Sequence, residues 1–136
     1  MNIEFNSNNE IGSAEVMEIF ISVGWRKNAN DIIKAFKNSY YVTAYNENKL
    51  IGFARAISDG IYYTSIFDVI VKPEFQKKGI AKTMLKMLLQ KFKGSYFFLS
   101  YTPGNKKIYE RCAFEELPTA MWINRGKSYD LDVEKL

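Results

Sequence analysis

A mixed α/β domain, with an antiparallel sheet that turns parallel at one strand, is what this chain of 136 residues implies. Three observations carry that reading. Runs rich in β-branched and aromatic residues come in close succession at 40–45 (YYVTAY), 50–58 (LIGFARAIS) and 61–71 (IYYTSIFDVIV), joined by polar turns. One long segment, 79–92, then repeats its apolar residues at helical spacing. A further strand-like run, YFFLSY at 96–101, follows that helix, and a strand–helix–strand unit sets its two strands parallel. The length suits one domain with one core, taken here as residues 1–136.

The elements follow in order. Residues 2–6 (NIEFN) alternate polar and apolar, as a short first strand does. Ser13 is placed to cap a helix running to about Val23, with Val16, Ile19, Phe20 and Val23 on one face, and Gly24-Trp25 ends it. Asn30 or Asp31 caps a second helix whose apolar set is Ile32, Ile33, Ala35 and Phe36. NENK turns the 40–45 strand into 50–58, and Asp59-Gly60 turns that strand into the long one stopped by Pro73. The helix over about Gly79 to Phe92 carries Ile80, Met84, Leu85, Leu88 and Phe92 on its apolar side, and Gly94 ends it. YFFLSY reads as a buried strand. Thr102-Pro103-Gly104 breaks the chain, and Asn105 begins a short helix through Cys112. TAMWIN (119–124) reads as a strand, and SYDLDVEKL as an edge strand or a tail.

Composition narrows the chemistry. The chain has no histidine, which removes Ser-His-Asp and Cys-His machinery and every histidine-ligated metal site. One cysteine, Cys112, forms no disulfide within the chain, so a reducing cytoplasmic compartment is expected. The N-terminus MNIEFNSNNEIG lacks a basic-then-apolar signal pattern, and the run VMEIFISVGW is too short to span a bilayer. Between Lys72 and Lys93 stand seven lysines and one glutamate, a segment charge of +6. That leaves −2 for the rest of a chain whose net charge is +4. Such local basicity suits a nucleic-acid binder or an enzyme that holds a phosphorylated cofactor.

The stretch FQKKGIAKTM (75–84) sets a glycine among lysines at the start of the helix. A helix N-terminus offers unpaired N–H groups and a partial positive charge, and an anion fits there. Gly79 lets a ligand approach the backbone, Ala81 leaves room on the first turn, and the amides from Gln76 through Lys82 can wrap a pyrophosphate. Lys77, Lys78 and Lys82 add screened attraction. On local composition alone, a solvated helix face explains the stretch as well. It is neither a P-loop nor GxGxxG.

The wider constellation separates these readings. VIVKPEFQKKGIAKTMLKMLLQKF resembles the acyl-CoA-binding motif of the GNAT superfamily of N-acetyltransferases, with Gln76-Lys77-Lys78-Gly79-Ile80-Ala81 matching its Gln/Arg-x-x-Gly-x-Gly/Ala signature. NKKIYERCAF (105–114) resembles the family's Asn-x-x-x-Tyr-Glu-x-x-Gly-Phe segment, with Ala113 in place of the glycine. The resemblance is strong over about 49–116 and weak in the first 40 residues. It implies the GNAT fold, a mixed sheet of about six to seven strands, antiparallel hairpins then a splayed parallel pair, flanked by about four helices.

It also implies roles. Acetyl-CoA would be the cosubstrate, with no metal. Its pantetheine arm would lie along Val69, Ile70 and Val71, and its pyrophosphate on the amides of Gln76, Lys77, Lys78, Gly79, Ile80, Ala81 and Lys82. Asn105 would bond the pantetheine region, or simply cap its helix. Tyr109 falls where the family places the acid that protonates the leaving thiolate, and a phenol near its ordinary pKa of about 10 is protonated at neutral pH. The strand N–H near Val69 would polarise the carbonyl. Where some members carry a glutamate base this chain has Phe67, with Asp68 beside it as the candidate base; a water relay or a backbone carbonyl is the alternative. Cys112 is taken as a small buried hydrophobe. Trp25 is the expected wall of an acceptor pocket, with Tyr40, Tyr41 and Arg55 as further candidates, and aromatic walls would favour an apolar or aromatic amine.

Three functions remain in play at this level. The first is an acetyl-CoA-dependent N-acetyltransferase acting on a primary amine of a small molecule or peptide. The second is a non-catalytic acyl-CoA-binding sensor. The third, nucleic-acid binding, is disfavoured because base-stacking aromatic residues are not interleaved with the lysines. Relatives pair as homodimers through late strands, and TAMWIN would serve either that purpose or an inner position in the sheet.

Overall fold

The computed structural model describes residues 1–136. Its elements are β1 (Ile3–Ser7), α1 (Ser13–Ser22), α2 (Ala29–Lys37), β2 (Tyr40–Asn46), β3 (Lys49–Ser58), β4 (Tyr63–Val71), α3 (Ile80–Lys91), β5 (Tyr96–Phe98), α4 (Lys106–Glu110) and α5 (Arg125–Tyr129). The strands form one sheet in chain order. Four pair antiparallel, with α1 and α2 between β1 and β2 and short turns joining β2, β3 and β4, and β5 returns through α3 to lie parallel to β4.

Strand alternation gives the sheet two apolar faces. On one, α1 and α2 set Val16, Ile19, Phe20, Ile32 and Phe36 against Leu50, Phe53 and Ile70. Phe20 and Phe36 both meet the Phe53 ring edge-on, at 5.3 and 5.2 Å between centroids. On the other face, α3 sets Ile80, Met84, Leu85 and Leu88 against Val42, Ile51, Ala54 and Ile66. Alanines at 54 and 56 let the helix sit close to the sheet. The helix periodicity of the sequence thus names the core side of each long helix.

Caps and chain ends depart from expectation. Gly12 caps α1 and Ser13 is already helical, with no side-chain cap bond. Asn28 caps α2, its Oδ1 accepting from the amides of Asn30 at 2.9 Å and Asp31 at 3.2 Å, so both expected caps fall inside the first turn. The sheet has five strands, not six to seven. TAMWIN forms no strand: it pairs with no edge of the sheet, and Met121 and Trp122 stand 96% and 83% exposed. Asn124 instead caps α5, its Oδ1 accepting from the Lys127 amide, and a last 3-10 turn spans Val133–Lys135. YFFLSY keeps only Tyr96–Phe98 in the sheet, and only Phe97 of these is partly buried. Pairing with β4 stops at Ser65↔Phe98 because the two strands part there.

Candidate active site

The parting of β4 from β5 follows from an irregularity in β4. On its other side, Phe53 pairs with Ile70 but Arg55 pairs with Phe67, so β4 carries one extra residue. Asp68 takes up the slack with φ +53°, a left-handed conformation that aspartate tolerates better than most residues. The bulge reverses the strand's phase. Ile66 packs against α3, yet Ile70, four residues on, packs against α1 and α2. Arg55 holds the bulge in place. Its Nε donates to Asp68 Oδ2 at 2.6 Å, its Nη1 donates to Ser39 Oγ at 3.0 Å, and its guanidinium lies over the rings of Phe36 and Phe67. Both partners of the ion pair are largely buried. Beyond Ser65, β4 therefore presents an edge with no strand beside it. Gly52 backs that edge: a Cβ there would stand 2.9 Å from the Ile70 carbonyl oxygen.

The chain leaves β4 through Pro73–Phe75 and enters the glycine–lysine loop. The Gln76 amide bonds back to the Pro73 carbonyl, and its side-chain Nε2 donates to the Val71 carbonyl at 2.9 Å. Gln76 thus closes the loop and is not free as an amide donor. Lys77 (φ +63°) and Gly79 (φ +81°) are both left-handed, which turns the backbone into a concave nest. The N–H groups of Lys77 through Lys82 have no backbone acceptor, and the first helical bond of α3 runs from Thr83 to Gly79. The space where a Gly79 Cβ would point is open. Ile80 is buried in the core, so it offers a ligand only its backbone. Lys77, Lys78 and Lys82 are exposed and make no ion pair, whereas Lys72 is bound by Glu18 at 2.9 Å.

α4 supplies the remaining groups. Asn105 occupies its N-cap position without capping it; the side-chain amide donates to Thr102 Oγ1 at 2.7 Å. Tyr109 packs between Tyr101 and Phe114, and its hydroxyl has no partner in the chain. Burial pushes the Tyr109 phenol above its ordinary value, with Cys112 adding to the shift. Cys112 is half-buried against the α3 side of the core, as a small hydrophobe would be.

A cavity of about 250 Å³ gathers these pieces. Trp25, Asp68, Val69, Ile70, Gln76, Asn105 and Tyr109 all line it, and all were singled out in the sequence. Val71 adds its carbonyl through Gln76, while Lys77 to Lys82 lie outside the cavity wall in the adjoining loop and helix start. Tyr40 and Tyr41 line neither this cavity nor its neighbour; they pack on Phe92 and Phe36. The sequence reading missed the facing wall, Leu99 to Thr102, because it assigned Leu99 to Tyr101 to a buried strand. A second, larger cavity of about 650 Å³ adjoins the first and shares Leu99, Ser100, Tyr101 and Tyr109 with it. The 105–114 motif gives it Lys106, Tyr109, Glu110 and Phe114, but no motif marks its other walls. Its walls come from β4, β5, α4 and the 114–122 segment, which only the fold brings together.

Comparison with known proteins fits this arrangement. Residues 13–114 match the family model described as the acetyltransferase (GNAT) family. An uncharacterized N-acetyltransferase ycf52 of Pyropia yezoensis is 35% identical over 125 residues, covering 85% of this chain and 72% of that protein. One of the same description from Gracilaria tenuistipitata is 30% identical over 99 residues, and there the chain spans 54% of the relative's length. Among solved structures, a GNAT family acetyltransferase of Streptococcus pneumoniae superposes with a TM-score of 0.79 at 24% identity, covering 91% of this chain and 99% of that one.

Proposed function

Because the chain belongs to the GNAT acetyltransferase family, we propose that it moves an acetyl group from acetyl-CoA to a primary amine by direct attack, with Tyr109 as general acid. Acetyl-CoA, when bound, supplies an acyl group activated as a thioester. The chain's own residues do the rest. The unpaired amides of Lys77 to Lys82 take the pyrophosphate, and the three exposed lysines raise the local concentration of anions. The open edge of β4 from Val69 to Val71 receives an amide-bearing arm as it would receive a peptide strand. Asn105 lies on the opposite lip of the same cavity. The bulge at Asp68 interrupts the ladder next to Val69, whose N–H would polarise a carbonyl bound in the cavity. Tyr109 gives its proton to the departing sulfur, and burial keeps that proton in place at neutral pH. Asp68 Oδ2 is engaged by Arg55, which leaves Oδ1 to accept the surplus proton of the amine, directly or through water.

The observation that carries this reading is a cavity lined by an unpaired strand edge and an unpartnered phenol, with a free-amide nest adjoining it. Thiol release from acetyl-CoA across a panel of amines tests it. Turnover that collapses in Tyr109→Phe while acetyl-CoA still binds is the expected result. Equal turnover in the variant removes Tyr109 from the mechanism. Acetyl-CoA binding with no turnover of any amine points to the sensor alternative.

A further inference from the structure

We propose that the larger cavity is the acceptor site, and that it takes a primary amine carried on an apolar, ring-bearing body with no carboxylate beside the nitrogen. This assignment rests on the acetyl-transfer reading above. Four residues, Leu99, Ser100, Tyr101 and Tyr109, form a wall common to both cavities. An amine entering from the larger side therefore reaches Tyr109 across the wall that the two cavities share. Asp68 Oδ1, directly or through water, takes one proton from the ammonium; the freed amine nitrogen then bonds to the acetyl carbon, the carbon–sulfur bond breaks, Tyr109 gives its proton to the sulfur, and water carries the nitrogen's remaining surplus proton back to Tyr109.

Two features of the wall select the amine. The first is its apolar surface. Phe67, Phe98, Leu117 and Trp122 line a space of about 650 Å³, within the usual range for a small-molecule site. Met121 and Trp122 are almost fully exposed, so a ring lying against them removes apolar area from water that the empty chain leaves wet. The second is charge. Glu110, Glu115 and Glu116 line the cavity against a single cation, Lys106, whose Nζ is bound to Glu116 at 2.5 Å. Glu110 and Glu115 form no ion pair, and the lining's carboxylates outnumber its one cation, which attracts an ammonium. The nest on the other side carries three free lysines. The two approaches to Tyr109 thus have opposite polarity, one suited to an anionic donor and one to a cationic acceptor. An acceptor with its own carboxylate is repelled from the second.

The test uses the full chain at saturating acetyl-CoA, with 2-phenylethylamine, ethanolamine and phenylalanine as probes and an acetyl-CoA titration alongside. The expected kcat/KM for 2-phenylethylamine exceeds that of either other probe by about ten-fold or more, the scale of one buried ring against a polar body or a repelled charge. Trp122→Ala lies outside the sheet and leaves folding intact; it should raise KM for 2-phenylethylamine by about five- to ten-fold with kcat and acetyl-CoA affinity unchanged. Glu115→Gln should raise the same KM at low salt, and the difference should shrink in high salt. Turnover without preference among the probes, or a Trp122→Ala KM equal to that of the parent, overturns the acceptor site and leaves acetyl transfer standing. No turnover of 2-phenylethylamine by a chain that binds acetyl-CoA overturns it as well. Absence of acetyl-CoA binding removes the transfer reading and this assignment together.

Discussion

Tyr109 is one of nine tyrosines, and nothing in its residue type distinguishes it. Its place does: half-buried on a short helix, with a hydroxyl that no protein group engages. Tyr109→Phe should lower kcat by about 100-fold or more, the usual scale for a lost general acid, with acetyl-CoA affinity nearly unchanged. The pH profile follows from the direction of its shift. Burial raises the phenol, so the acid form persists through neutrality and the rate falls only as pH climbs through a value above about 10. A tyrosine-dependent alkaline limb centred near pH 8 would contradict this assignment. Ala113 carries a different lesson. It sits at φ +71° where the motif it resembles has glycine, a conformation that costs an alanine about 1–2 kcal/mol. Ala113→Gly should raise stability by about 1 kcal/mol after the entropy of glycine is subtracted, a gain thermal unfolding would register as a few degrees. An unchanged or lower melting temperature would show that the strain is relieved some other way.

Among the elements, β4 does the most and was the least legible in detail. Its residues announced a long strand, and Pro73 announced the end. The extra residue at Asp68 left no such mark, because a bulge depends on the register of the neighbouring strand. Arg55 was visible only as a candidate pocket wall, yet it ties the bulge to β3 and, through Ser39, to the end of α2. Removing one member of a largely buried ion pair strands the other. Arg55→Met should therefore destabilise the chain by about 2–3 kcal/mol in denaturant unfolding and lower kcat with it. Arg55→Met with Asp68→Asn should recover part of the loss; a double variant no better than the sum of its parts would mean that the pair is not coupled. The helices were easier. Val16, Ile19, Phe20, Met84, Leu85 and Leu88 recur on one side of a 3.6-residue period, and all are buried. Caps were harder, since Asn28, Asn30 and Asp31 offer the same chemistry within four residues, and the backbone chooses.

At the scale of the whole molecule, the antiparallel run over 40–71 and the parallel return after α3 could be read from sequence because each rests on local signals: alternation, turn residues, a helical period between two strands. The last third could not. TAMWIN has strand-forming residues but no pairing partner, and its Ala120, Met121 and Trp122 instead line a cavity with the segment before it. The acceptor side follows from that packing alone. The central claim is that the helix start at Gly79 holds the phosphates of acetyl-CoA. Titration calorimetry with acetyl-CoA tests it most directly, on the chain beside Gly79→Ala and Gly79→Glu. The alanine variant adds the strain of a left-handed side chain in open space, and the glutamate variant adds a negative charge where the phosphates would lie. The account predicts that the chain binds, that Gly79→Ala binds several-fold more weakly, and that Gly79→Glu shows no measurable heat. Binding by Gly79→Glu equal to that of the parent chain, or no binding by the chain itself, would contradict it.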